Sequence, residues 1–209
     1  MEEWFDDKKQ KFTEEVKKNL KTSFEIFNNL YFELFEKYMK ENSNKEEIID
    51  DLEKIIIELE KNSQQKLIAI NEKNWNVHVV EKIPLILAHV FVIWTFQNSD
   101  LEFFNPSGNK DRENFKIMKP HPVQIVSIFR LLGVDKLVYD ENVKKNIFQK
   151  FTGFFASKIF ENSKNQVNST NLDNHLIEIK TGEGKSVTLA ISALVLAFFG
   201  YEVNVVCYR

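Results

Sequence analysis

The residues best suited to do chemistry lie near the end of the sequence, in Thr181-Gly182-Glu183-Gly184-Lys185-Ser186. Two glycines followed by a lysine and a hydroxyl are what a phosphate-binding loop requires. Glycine tolerates positive φ, so backbone N–H groups around Gly182 and Gly184 can turn toward phosphate oxygens. A helix beginning at this point would add unpaired N–H groups and the positive end of its dipole. Lys185 would bring a cation to the β- and γ-phosphates, and the Ser186 hydroxyl would ligate Mg²⁺. The generic pattern G-x-x-x-x-G-K-[ST] asks for glycine at position 179, where this chain has Ile179, so the match is to a relaxed form. The plainer alternative is a glycine turn whose lysine and serine are an ordinary first helical turn.

Such a loop must be held by a strand before it and a helix after it. Residues 176–180, Leu-Ile-Glu-Ile-Lys, read as the strand, and 187–199, apolar almost all round, as a helix buried on several sides and capped by Gly200. Residues 203–207 read as a second strand, parallel to the first through a right-handed crossover. Leu137-Val138-Tyr139 is a thin candidate for a third. Two parallel strands alone make no stable sheet, which favours reading the chain as a fragment of a longer product. Upstream, Lys119-Pro120-His121-Pro122-Val123-Gln124 leads into a helix over 125–132 closed by Gly133. The Gln124 carboxamide could read an adenine edge in bidentate fashion, although a surface glutamine is the default. A helix over 142–160 and a polar loop over 161–174 separate these two segments.

The first 73 residues read as helices throughout. Thr22 or Ser23 could cap a helix running to about Glu41, with Phe24, Phe27, Tyr31, Leu34, Phe35 and Tyr38 on one face. Ser43 and Glu46 form a capping-box pattern for the next helix, with Ile48, Leu52, Ile55, Ile56 and Leu59 inward. Asn62-Ser63 reads as its end, before a shorter helix to about Glu72. Short connections of this kind predict an antiparallel bundle, its charges a solvated face. The most apolar run, 83–96, would span roughly 21 Å as a helix, short of the ~30 Å core of a bilayer. A buried helix is the better reading, with Pro84 in its first turn and His89 a hydrogen-bonded core histidine. Asn105-Pro106-Ser107-Gly108 marks a loop, and the expected domain boundary falls near residue 110.

Composition narrows the function class. The net charge of −3 and the absence of a basic stripe argue against a nucleic-acid partner. Cys207 is the single cysteine, so no internal disulfide can form and a reducing, cytoplasmic setting is expected. The acidic N-terminus lacks the layout of a signal peptide, and Asn168-Ser169-Thr170 is read as a chance sequon. The four histidines show no metal-ligand spacing, and no nucleophile–base constellation is readable, so no catalytic residue is assigned.

With these pieces assembled, the chain resembles the N-terminal part of the SecA preprotein translocase ATPases. The resemblance rests on Ile179-Lys180-Thr181-Gly182-Glu183-Gly184-Lys185-Ser186, similar to that family's helicase-type motif I, and on Pro120-His121-Pro122-Val123-Gln124, similar to its adenine-contacting segment. The continuation into 203–206 and the run 83–95 support it, so that it covers about 80–209. It implies a mainly α chain with a partial α/β part. A helical bundle (1–110) would precede an incomplete RecA-like P-loop unit (111–209), interrupted by an insertion at about 134–175. It implies ATP and Mg²⁺ as cofactors, Gln124 on adenine, residues 181–185 on the phosphates, and Ser186, in place of the usual threonine, on the metal. The partners implied are unfolded polypeptide and a membrane translocation channel, with a location peripheral to a membrane. Gln124 stands much farther from Lys185 than that family's spacing, so the insertion must loop out. No Walker B acid follows the second strand, so ATP hydrolysis by this chain alone is expected to be poor. A nucleic-acid helicase-like motor and a non-enzymatic helical interaction module are the alternatives.

Overall fold

The computed structural model describes residues 12–40, 45–66, 75, 77–98, 119–137 and 176–206, and these are mainly helical. Helix α1 runs over Glu14–Lys40, α2 over Lys45–Lys66, α3 over Val77–Asn98, α4 over Pro122–Leu131 and α5 over Lys185–Phe198, with a short 3₁₀ turn at Val134–Lys136. The first helix begins earlier than the sequence suggests. Thr13 caps it, its hydroxyl accepting the Val16 N–H at 3.3 Å. Thr22 and Ser23 lie inside the helix because their hydroxyls donate to the carbonyls of Lys18 and Asn19, at 3.0 and 2.8 Å. A hydroxyl satisfied one turn back is free to sit mid-helix rather than at its start.

Two further expectations fail in the same way. Helix α2 continues through Asn62-Ser63 to Lys66, since two weak helix formers cost less than a packed helix gains. Pro84 lies well inside α3 rather than in its first turn. Helix α3 is also longer than the run that marked it: its 22 residues reach roughly 33 Å, long enough to cross a membrane. Length therefore does not decide its place. Burial does: from Val79 to Val92 nearly every side chain is inside, against α1 on one side and α2 on the other.

The core is one continuous cluster. Phe27 sits at its centre, edge-on to Phe91 of α3 at 5.9 Å and to Phe129 of α4 at 6.4 Å. Several buried polar groups pair between elements. The Tyr31 and Thr95 hydroxyls bond at 2.9 Å, the Asn19 amide donates to the Asp135 carbonyl at 3.3 Å, and the Trp75 indole N–H donates to Leu132 O at 3.1 Å. His89 is buried, its Nδ1 2.9 Å from Leu85 O, as a core histidine should be. The core crosses the expected boundary near residue 110, since α1 packs on both α4 and the 3₁₀ turn.

The expected fold class needs correction. Among the described residues there is no strand, so the RecA-like strand–loop–helix–strand unit is absent. A strand is completed by a hydrogen-bonded neighbour, and among the described residues neither 176–180 nor 201–206 is paired with one. Leu176 lies fully exposed and Val206 91% exposed, while Ile177, Ile179 and Val203 are half-buried without a sheet around them. Leu137 is buried but irregular, and is no strand either. Helix α5 likewise is not buried all round: Thr188, Ile191, Ser192 and Val195 face inward while Leu189 and Leu194 are exposed. The Ser43 cap, the helices expected to 72 and over 142–160, the loops over 105–108 and 161–174, and Cys207 lie outside the described residues.

Candidate phosphate-binding site

The loop opens with a four-residue turn in which Glu183 N–H donates to Lys180 O at 3.3 Å. Gly182, at the third position of that turn, has φ 91°, which a type II turn demands and glycine supplies cheaply. Gly184 then caps α5 in the left-handed region, φ 79° and ψ 44°. Its carbonyl accepts the N–H groups of Val187 and Thr188 at 3.0 and 3.2 Å, which starts the helix. Among the described residues, the N–H groups of Gly182, Gly184, Lys185 and Ser186 find no acceptor. Four donors therefore cluster around two left-handed glycines at the positive end of a helix.

The side chains agree with this arrangement. Lys180, Thr181, Lys185 and Ser186 are exposed. Neither lysine has an ion-pair partner among the described residues. The site thus offers two uncommitted cations, two hydroxyls and four amide donors on one surface. An anion of several oxygens fits that donor set, and a free hydroxyl such as that of Ser186 is a competent Mg²⁺ ligand once phosphate and water supply the rest.

Gln124 comes to this loop despite standing 59 positions before Glu183. It is 8% exposed, near the start of α4. Its Oε1 accepts the His121 N–H at 3.0 Å, which caps its own helix, and its Nε2 donates to Glu183 O at 3.1 Å. Both ends of the carboxamide are thus engaged with backbone. A Cβ on Gly184 would lie 2.1 Å from Gln124 Nε2, so this glycine is needed for approach as well as for φ. The sequence placed Gln124 and residues 181–186 at one site, and the structure sets Gln124 against Glu183 and Gly184 of that loop. It adds one residue that sequence reasoning missed, His121, whose Nδ1 stands 3.4 Å from Glu183 Oε2. The only signal for it was its place three residues before Gln124, the spacing of a capping box.

Trp75 secures the other end of α5. Its ring meets Phe199 and Tyr201 edge-on at 5.7 and 5.9 Å, while its N–H holds the end of α4. Gly200, φ 75°, closes the helix as Tyr201 N–H donates back to Leu196 O and Gly200 N–H to Ala197 O. Helices α4 and α5 are therefore tied at both ends, by Gln124 at the loop and Trp75 beyond it. No group of His, Cys, Asp or Glu suited to hold a metal by itself occurs among the described residues. Compared with known proteins, the chain matches no family model, no curated protein and no solved structure.

Proposed function

We propose that the loop over 180–188 binds the phosphate chain of a nucleotide, with Lys185 as its cation and Ser186 as the protein ligand of Mg²⁺. One observation carries the reading: four acceptor-free backbone N–H groups surround two left-handed glycines at a helix start, beside an uncommitted lysine. The resemblance to SecA motors favours ATP as the nucleotide. It also favours a role in moving polypeptide at a membrane. The reading needs no RecA-like sheet, because the donors belong to the loop and to the first turn of α5. Gln124 serves here by fixing the loop, with one N–H and one lone pair left for an adenine edge.

Titrating the chain with a fluorescent ATP analogue, with and without Mg²⁺, tests the proposal. Weak saturable binding is expected, tighter with Mg²⁺, lost in Lys185→Ala and made independent of Mg²⁺ in Ser186→Ala. Turnover is expected near background. Equal binding by Lys185→Ala would refute the site. It would leave the second reading, a helical interaction module without nucleotide chemistry, which draws its support from the helical character of the described residues.

A further inference from the structure

We infer that His121 is a positioning residue for this loop, which holds against its own ring the one carboxylate that would otherwise oppose a bound phosphate. The inference rests on the reading of the loop as a phosphate seat. Glu183 is the sole acid between Lys180 and Ser186, and it stands between the two left-handed glycines. Its neighbours on either side supply the amide donors. A carboxylate there repels any phosphate chain the loop receives.

Three contacts keep it in place. The His121 N–H donates to Gln124 Oε1 at 3.0 Å, Gln124 Nε2 donates to Glu183 O at 3.1 Å, and the Glu183 carboxylate returns to the His121 ring at 3.4 Å. The ring of contacts closes on itself, so the backbone of Glu183 and its side chain are both fixed from α4. The charged groups around His121 leave the pairing to Glu183. Lys119, two residues earlier, lies over the Phe32 ring of α1 at 5.2 Å, while Lys180 and Lys185 lie exposed on the loop. The contact keeps the carboxylate beside the ring at the start of α4; with the ring removed, the carboxylate is free to turn toward the phosphate seat.

Unit charges a few ångströms apart near a solvated surface change affinity by about three- to tenfold. The test is a double-mutant cycle on binding of the Mg²⁺ complex of the fluorescent ATP analogue to the full chain. His121→Ala should weaken binding about three- to tenfold, and adding Glu183→Gln in that background should restore it. In the Glu183→Gln background, removing the His121 ring should have little further effect on binding. A purely structural cap predicts otherwise: the double variant would then bind as poorly as His121→Ala, and the inference would be overturned. A second arm needs no nucleotide. The Glu183 and Gly184 amide resonances should shift between the parent and His121→Gln at one fixed pH; unchanged resonances would show the two side chains uncoupled. A parent that binds no nucleotide, yet shows this shift against His121→Gln, would refute the phosphate seat while leaving the His121–Glu183 pairing intact.

Discussion

At the scale of single residues the two loop glycines are not equivalent. Both have positive φ, which costs an alanine about 1–2 kcal/mol. A Cβ at position 182 meets nothing within 4 Å, whereas one at 184 falls 2.1 Å from Gln124 Nε2. Gly184→Ala must therefore also displace the carboxamide and break its bond to Glu183 O, adding about 1 kcal/mol. Thermal unfolding should rank the parent above Gly182→Ala and that above Gly184→Ala, with about 2–4 °C lost per kcal/mol. Equal losses would show that Gln124 does not brace the loop. The loop itself was legible because glycine, lysine and serine carry their chemistry in their types. Its brace was not: Gln124 reads as a surface residue until a segment from far along the chain is folded against it.

At the scale of elements, apolar periodicity located the helices but not their ends. Phe24, Phe27, Tyr31 and Tyr38 are buried along α1, and Ile48 and Leu52 along α2, as their spacing predicts. Ends depend on where hydroxyls and prolines find satisfaction, which spacing does not encode; Ser23 and Pro84 were misplaced for that reason. The short runs at 176–180 and 203–207 show the other weakness. An apolar stretch of that length suits a strand only if a neighbour pairs with it, and pairing is not a local property. Phe27 should matter strongly in the core, because it touches rings of both α3 and α4. Phe27→Ala should cost about 3–5 kcal/mol, read from denaturant unfolding. Phe32→Ala, at an exposed site on the same helix, should cost far less. A loss below about 1 kcal/mol for Phe27→Ala would mean that α1 does not join α3 to α4 through this residue.

At the scale of the whole molecule, the buried His89 couples folding to pH. Burial holds its imidazole below the ordinary 6.5; the carbonyl of Leu85 and the charge of Asp51 push it back up without overcoming that effect. The unfolded chain therefore takes a proton on this histidine in a range where the native chain does not, and stability must fall as pH drops below about 6.5. Above that value neither state is protonated and the term vanishes. Below the native midpoint both are protonated and the loss stops growing. The slope approaches about 1.4 kcal/mol per pH unit in between. Asp51 acts in another window: burial raises it, but the hydroxyl of Tyr38 and the ammonium groups of Lys54 and Lys37 outweigh that and hold it below 3.8. Its contribution is present above that value and lost only in stronger acid. Between pH 7 and 5.5 the two are separable. Denaturant unfolding should show the parent losing stability across that range, and His89→Met losing less by most of the histidine's share, whatever its stability at pH 7. Because every other titrating group is common to both chains, the difference in slope belongs to His89. Parallel slopes would mean that acid reaches this imidazole in the folded state as readily as in the unfolded one, and that the interface of α3 with α1 and α2 is open to water.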